Sequence, residues 1–476
     1  MRRIDWTLAV TALAALVWVI VRACVQAITI DEATTYVIFV EPSQPQHWIG
    51  STNNHVLNSA LMRLTTRWFG VSEWSARLPA MLGAAIYIAA CYRFCLRLSG
   101  ALLRWVALVC LIGSPFILDY LVAARGYSLA LGFLMTALLC DPRTVRGCVT
   151  SSATIGLCFA ANFSFAFACA VVLGGLFLWS WHDSEISRPK LIMAYVLPAV
   201  LVNVVLTAPS LLNFPRHELW YGAHGLRESF ASLIESQLRH VNYHFIGVPL
   251  YRVLFAIQPF LYPIFGIVTL AWLALNWRRA PALAKLLGGA FLMTVALHVV
   301  GFHLLGLLYP LDRTGIFFVP LAFGAIALMA SLPAENTVWL RRVQIGALAS
   351  VSIFNLSCLR LNYFEEWGFD QDTDKIYEVL SCLHDRNQVR RVASEWPFLG
   401  AMNFYRRTSH GPTIDRVIDV SEYTAETEAF VVDATFKPEI VAKRELTSLW
   451  KSTRTGAQIA VPPEQMERLK GSVCFQ

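Results

Sequence analysis

Charge is what this chain lacks. Asp, Glu, Lys and Arg make up 15% of its 476 residues, where an ordinary soluble domain carries about 25%. That excludes a solvated surface over most of the length. With 56% apolar residues and a mean hydropathy of +0.52, the chain reads as a membrane protein with several spans. It also lacks any Cys-x-x-Cys or His/Cys spacing that would hold zinc, so no metal is indicated. Of its 11 cysteines, Cys24, Cys91, Cys95, Cys110, Cys140, Cys158 and Cys169 lie inside apolar runs, as small core residues. Cys358, Cys382 and Cys474 fall near or within the polar tail, where a Cys382–Cys474 disulfide is open if the tail is extracytoplasmic. There is no internal repeat of about 20–50 residues and no low-complexity segment. The net charge of +7 is scattered over short loops. That excludes the concentrated basic face of a nucleic-acid binder and fits charge that sets topology.

The apolar residues fall into about eleven span-length stretches, near 6–28, 76–96, 101–119, 124–140, 148–161, 164–181, 190–212, 251–276, 284–308, 314–332 and 339–359. The first, from Trp6 to Ile28, is too long for a signal-peptide core and is read as a retained span. The stretch 148–181 is long for one crossing and short for two. Counted as two, turning near Asn162 and Ser164, it puts every strongly basic loop on one side: Arg2/Arg3, Arg93/Arg97/Arg104, Arg143/Arg146, Arg188/Lys190, Arg278/Arg279/Lys285 and Arg341/Arg342. That side is cytoplasmic by the positive-inside rule. Loops 29–75, 119–125, 213–250 and 309–313 then lie outside, as does the tail.

The segment His55 to Phe69 has the spacing of an amphipathic helix lying on the outer surface. Loop 213–250 carries His217, Trp220, Tyr221, His224, Arg227, Arg239, His240, Tyr243 and His244. Without a carboxylate partner for its histidines, it reads as an aromatic cover for a lipid headgroup rather than a zinc site. Residues 1–359 form the membrane domain. Residues 360–476 form a small α/β domain with a strand at Ala429–Asp433 and a helix at 398–407.

The most informative stretch is Ile28-Thr-Ile-Asp31-Glu32-Ala-Thr-Thr-Tyr36, where the chain leaves its first span. Adjacent carboxylates at a bilayer surface are costly unless solvated or used. They serve either as acidic residues at a helix N-terminus or as a general base on a substrate hydroxyl. Arg125 and Arg313 are snorkelling cations or forks for phosphate. Asp119 is a second acid or a span terminator, and His55 a substrate contact or a helix start. Arg77 reads as a lock on the second span, and Arg22, inside the first, as an outward snorkel.

The order of Asp31-Glu32, the helix opening at His55, and Phe69-Gly-Val-Ser-Glu-Trp-Ser-Ala-Arg77-Leu-Pro79 resembles a known family. It is similar to the GT-C membrane glycosyltransferases that use lipid phosphosugars, specifically bacterial relatives of protein O-mannosyltransferases (glycosyltransferase family 39). Asp119-Tyr-Leu-Val-Ala-Ala-Arg125-Gly-Tyr127-Ser and Tyr309-Pro-Leu-Asp-Arg313 extend the likeness. The chain departs from the family pattern at Ala123, where glutamate is usual, and at Asn162, where histidine is frequent.

The resemblance implies a polytopic α-helical GT-C-like fold with the small C-terminal α/β domain, in a bacterial inner membrane with the tail in the periplasm. It implies an inverting transfer of sugar from a polyprenyl-phosphate donor to a hydroxyl on a glycan, lipid or protein acceptor. Asp31 and Glu32 are then catalytic, and His55, Asp119, Arg125, Tyr127 and Arg313 bind substrate. No cofactor or metal is obligatory. Two rival readings stand beside it. A lipid-linked sugar transporter or flippase would put charges at mid-bilayer and broken helices in paired halves, whereas here acids and arginines gather in outer loops. A non-catalytic scaffold would leave Asp31 dispensable.

Overall fold

The computed structural model describes residues 5–42, 49–215, 218–238, 248–332, 338–408, 414–433, 441–442 and 445–475. Its helices run α1 (Trp6–Val25), α2 (Ile30–Thr35), α3 (Val56–Phe69), α4 (Glu73–Cys95), α5 (Ala101–Ile112), α6 (Pro115–Val122), α7 (Tyr127–Leu139), α8 (Val145–Ala161), α9 (Ala166–Asp183), α10 (Arg188–Leu206), α11 (Ala208–Leu212), α12 (Leu226–Leu238), α13 (Val248–Leu275), α14 (Ala282–Leu305), α15 (Phe318–Ala330) and α16 (Val338–Ser357). The tail adds α17 (Thr373–Asp385), α18 (Trp396–Tyr405), α19 (Pro463–Leu469) and strands β1 (Val392–Ser394), β2 (Ile418–Asp419), β3 (Ala429–Asp433), β4 (Thr447–Lys451) and β5 (Ala457–Val461).

Each apolar stretch marked out in the sequence is helical, and the protein is a polytopic helical membrane protein. Among the described residues, 5 helices are long and apolar enough to cross a bilayer, and 6 if α5 and α6 form one crossing bent by 54°. The bend has a local cause. Gly113 and Ser114 interrupt the run, and Pro115, which has no N–H to give, opens the new helix at its first position. Helices α7, α8 and α15 are apolar but shorter. The turn expected at 162–164 is present. The Asn162 side chain accepts from Ser164 N at 3.0 Å and caps a single 3₁₀ turn between α8 and α9.

Close packing of α4 on α7 sets the frame around the site. A methyl at Gly83 would lie 2.4 Å from the Leu129 nitrogen, so only glycine lets the two backbones meet. After α1, α2 widens into a π turn at Tyr36–Val40, and α3 follows as the expected amphipathic helix.

The tail carries a mixed sheet of order β2-β1-β3-β5-β4, with β1 parallel to β2 and β3 and the remaining pairs antiparallel. Central β3 is buried along its whole length, as its Ala-Phe-Val-Val run requires. Cys382 and Cys474 form a disulfide across 92 residues. The apolar core of the tail continues into the segment after α1, where Ile28, Ala33, Tyr36 and Val40 join Ile376, Leu380, Phe398 and Phe404 in one cluster. Helix α18 lies against α2, and Ile28 N donates to Tyr405 Oη at 3.0 Å.

Candidate active site

Thr29 starts α2 with a capping box: its Oγ1 accepts from Glu32 N at 3.3 Å, and its N–H donates to Glu32 Oε2 at 3.0 Å. Successive helical residues point about 100° apart, so the two carboxylates face different ways. Glu32 turns inward and is fully buried. It accepts from Arg77 Nε at 2.9 Å, Arg77 Nη2 at 2.7 Å and Ala124 N at 2.7 Å. Burial pushes its pKa up, but Arg77 and the backbone donors outweigh this and hold it below the usual value. Arg77 spends its other donors on the carbonyls of Ala23, Gln26 and Ala27, closing the end of α1. It is therefore the lock that the sequence suggested. Removing either partner of such a buried pair costs roughly 3–5 kcal/mol.

Asp31 points the other way, with its side chain 18% exposed. Its Oδ2 lies 3.7 Å from Arg125 Nε and 3.6 Å from Arg313 Nη2. These are ion-pair distances, and that oxygen accepts no hydrogen bond among the described residues.

Arg125 is buried and heavily engaged. It donates to Thr35 Oγ1 at 2.9 Å, Asn53 Oδ1 at 2.9 Å, the Asn53 carbonyl at 3.2 Å and the Asp31 carbonyl at 3.3 Å. Gly126 after it has φ +75°, and a methyl there would lie 2.1 Å from the Ala161 oxygen. The Arg125-Gly126-Tyr127 turn is thus pressed between α8 and His55.

Arg313 sits on the 3₁₀ turn Asp312–Gly315, which α12 anchors: Asp312 N donates to Ser232 Oγ at 3.0 Å, and Ser236 Oγ donates to Asp312 Oδ1 at 3.0 Å. Its guanidinium lies over the Tyr221 ring at 4.8 Å and pairs with Glu366. Burial opposes its charge, yet Tyr127, Asp31 and Tyr221 together raise its pKa, so it stays cationic.

His55, the N-cap of α3, is buried, and neither ring nitrogen has a hydrogen-bond partner among the described residues. Burial and the charges of Arg125 and Arg313 push its pKa well below the imidazole range, so it is neutral. Its ring packs 5.7 Å from that of Tyr127, which packs 4.9 Å from Tyr120.

Asp31, His55, Arg125, Tyr127 and Arg313 therefore converge. Glu32 lies behind them. Asp119 belongs to a different network: it accepts from Arg22 Nη2 at 2.7 Å, Arg360 Nη2 at 2.6 Å and Glu365 N at 3.1 Å. Arg22, expected to snorkel outward, is 1% exposed and turned inward. Asp119 and the Tyr363 carbonyl, at 3.1 Å, supply the partners that make burial tolerable. Of the aromatic and histidine loop, His217, Arg239, His240, Tyr243 and His244 lie outside the described residues. No group of 3 or more His, Cys, Asp or Glu side chains among the described residues could hold a metal ion.

Two acids of the tail enter the site without any local sequence signal. Glu366 reaches Arg313 and accepts from Tyr120 Oη. Asp370 accepts from Ile30 N at 2.7 Å, at the head of the Asp31 helix. Burial pushes the Asp370 carboxyl well above its usual pKa. Ile30 N opposes this, and the charges of Asp31 and Glu32 add to it. Because the folded value is raised, this group's contribution to stability is full below the ordinary Asp range of ~3.9 and is lost as pH rises through the folded value. Asp370→Asn removes that loss. It is expected to melt at or above the wild-type temperature near neutral pH, with its advantage shrinking as pH falls toward about 4. Thermal unfolding in detergent across that range measures the gap; an advantage that grew on acidification would contradict the assignment.

Beside the turn that carries Arg313 lies an apolar cavity of about 410 Å³, lined by Phe230, Leu233, Gln237, Phe291, Phe318 and Ile326 among others.

No family model matches the chain, and no curated protein matches it in sequence. Solved structures share its fold. ArnT from Cupriavidus metallidurans in the apo state is 13% identical, with 98% of this chain and 99% of that chain covered and a TM-score of 0.54. The same protein bound to undecaprenyl phosphate is 14% identical, with 98% and 100% covered and a TM-score of 0.51. At that identity the likeness establishes the fold, which is the GT-C fold that the sequence resemblance implied.

Proposed function

We propose that this protein is a membrane glycosyltransferase that moves a sugar from a polyprenyl-phosphate donor to an acceptor hydroxyl. The observation that carries the reading is the Asp31 carboxylate. It is held on a capped helix between two guanidiniums, with Oδ2 accepting no hydrogen bond, beside a neutral histidine whose ring nitrogens are both unpartnered. A buried group without partners is expensive, and a polar substrate would satisfy all of these at once.

We assign the following roles, which the geometry supports. Asp31 Oδ2 takes the acceptor hydroxyl's proton as that oxygen attacks the anomeric carbon, in one concerted step. The bond from that carbon to the phosphate oxygen breaks on the opposite face, so the centre inverts. The charge that develops on the lipid phosphate is met by Arg313, whose planar fork suits phosphate oxygens, and by an N–H of His55. Tyr127 sets the His55 ring. Arg125, committed to Thr35 and Asn53, braces Asp31 and offers its Nε. Glu32 positions the α2 helix through Arg77, and Asp119 fastens the tail. The apolar cavity beside the Arg313 turn suits part of an isoprenoid chain, and the undecaprenyl phosphate bound in ArnT supports a donor of this class. The acceptor is a glycan, lipid or protein hydroxyl.

Purified protein incubated with polyprenyl-phosphate sugars should release polyprenyl phosphate, and mass spectrometry of co-purified lipid should find the donor or its product. A panel that yields neither turnover nor bound lipid would defeat the reading.

The basic-loop pattern and the Cys382–Cys474 disulfide both support an inner-membrane protein with its tail in the periplasm. Alkaline phosphatase fused after Gln476 should be active and fused after Arg279 inactive. The reverse pattern would invert the topology.

A further inference from the structure

Arg313, the proposed phosphate ligand, already holds a carboxylate. Glu366 contacts its guanidinium directly, while Asp31 stands off at 3.6 Å. The backbone on either side of Glu366 is fixed. Arg360 and Glu365 N are bound to Asp119, Trp367 is buried with its ring 5.6 Å from that of Tyr120, and Asp370 is bound to Ile30 N. The Glu366 side chain between them is 31% exposed. A carboxylate on a fixed backbone, with room for its side chain to turn, meets a cation that also suits phosphate.

Resting on the glycosyl-transfer reading, we propose that Glu366 is a positioning residue that competes with the donor phosphate for Arg313. It shares the guanidinium with Asp31 and keeps it from closing further on the base, and it yields Arg313 to the lipid phosphate, which is a singly charged diester in the donor and becomes a monoester dianion once the sugar has left. Tyr120, its second partner, gives the displaced carboxylate a place to stay. The competing role for Glu366 is a strut tying the tail to the 312–315 turn. The two differ in sign. Losing a strut loosens the turn and weakens phosphate binding; losing a competitor strengthens it.

The test uses full-length wild type, Glu366→Gln, Glu366→Ala, Arg313→Ala and the Glu366→Gln/Arg313→Ala double variant, each matched for folded fraction by size exclusion. The probes are undecaprenyl phosphate and, as control, undecaprenol, both in detergent. Both Glu366 variants are expected to bind the phosphate about two- to fivefold more tightly than wild type, the scale of one partly exposed ion pair. Undecaprenol binding stays unchanged, and the gain disappears in the Arg313→Ala background. Equal or weaker phosphate binding by both Glu366 variants, or a gain that survives without Arg313, overturns the proposal while leaving glycosyl transfer standing. A wild type that binds no undecaprenyl phosphate overturns both.

Discussion

Asp31→Asn is expected to cut turnover by about a hundredfold or more while leaving donor binding largely intact, since general-base assistance is typically worth ~10²–10⁴-fold. Asparagine keeps the shape of the side chain and can still accept through one oxygen, but it cannot take a proton. The substitution also removes the negative charge that faces Arg125 and Arg313 at 3.7 and 3.6 Å. Those guanidiniums then have more charge to offer a phosphate, so donor affinity should hold or rise while kcat falls. That opposition separates loss of a base from loss of structure, which would lower both. Equal kcat for the purified variant and wild type would remove Asp31 from the chemistry.

Arg313→Ala is expected to weaken binding of polyprenyl phosphate about ten- to a hundredfold, the range of a charge-assisted contact worth roughly 1.5–3 kcal/mol. Arg313→Lys should fall between, because an ammonium supplies charge without the fork. The sequence treats Arg125 and Arg313 alike; their surroundings separate them. Arg125 makes its bonds to Thr35, Asn53 and the Asp31 carbonyl, whereas Arg313, with a side chain 18% exposed, meets Asp31, Glu366 and Tyr221 among the described residues. Arg125→Lys should therefore lower the melting temperature yet leave phosphate affinity within about twofold, since lysine cannot span the same acceptors. Titrating the phosphate into equal amounts of the folded variants decides the matter. A larger affinity loss at Arg125 than at Arg313 would reverse these roles.

How much of this was legible in the sequence depends on distance along the chain. The adjacent acids after the first span, the helix beginning at His55 and the turn at Asn162 are local patterns, and each appears where periodicity and composition put it. The tail's strand at Ala429–Asp433 is equally local. What separates Glu32 from Asp31 is not. Both are acidic residues in the first turn of one helix, and it takes Arg77, 45 residues on, and Ala124 N to commit Glu32 to the interior. Arg22 departs from its local pattern for the same reason: alone in an apolar run it snorkels, but Asp119, 97 residues away, turns it inward. Glu366 and Asp370 sit in an unremarkable polar stretch. Nothing near them signals that the chain returns to its own beginning, because that return is decided by apolar burial of α18 on α2 and by single bonds spanning more than three hundred residues.

On the proposed function, that return also sets when the protein can first work. Ile30 N, beside Asp31, and the Asp370 carboxylate are joined across 340 residues, and at ~5–20 residues per second a ribosome needs on the order of half a minute to make the intervening chain. Arg77 arrives early, so the buried half of the acidic pair is neutralised almost at once. The exposed half sits on a helix whose head is held by Asp370 only after the tail is made and folded against α2. On the proposed function, a nascent chain is expected to be inactive until its last domain docks on α2.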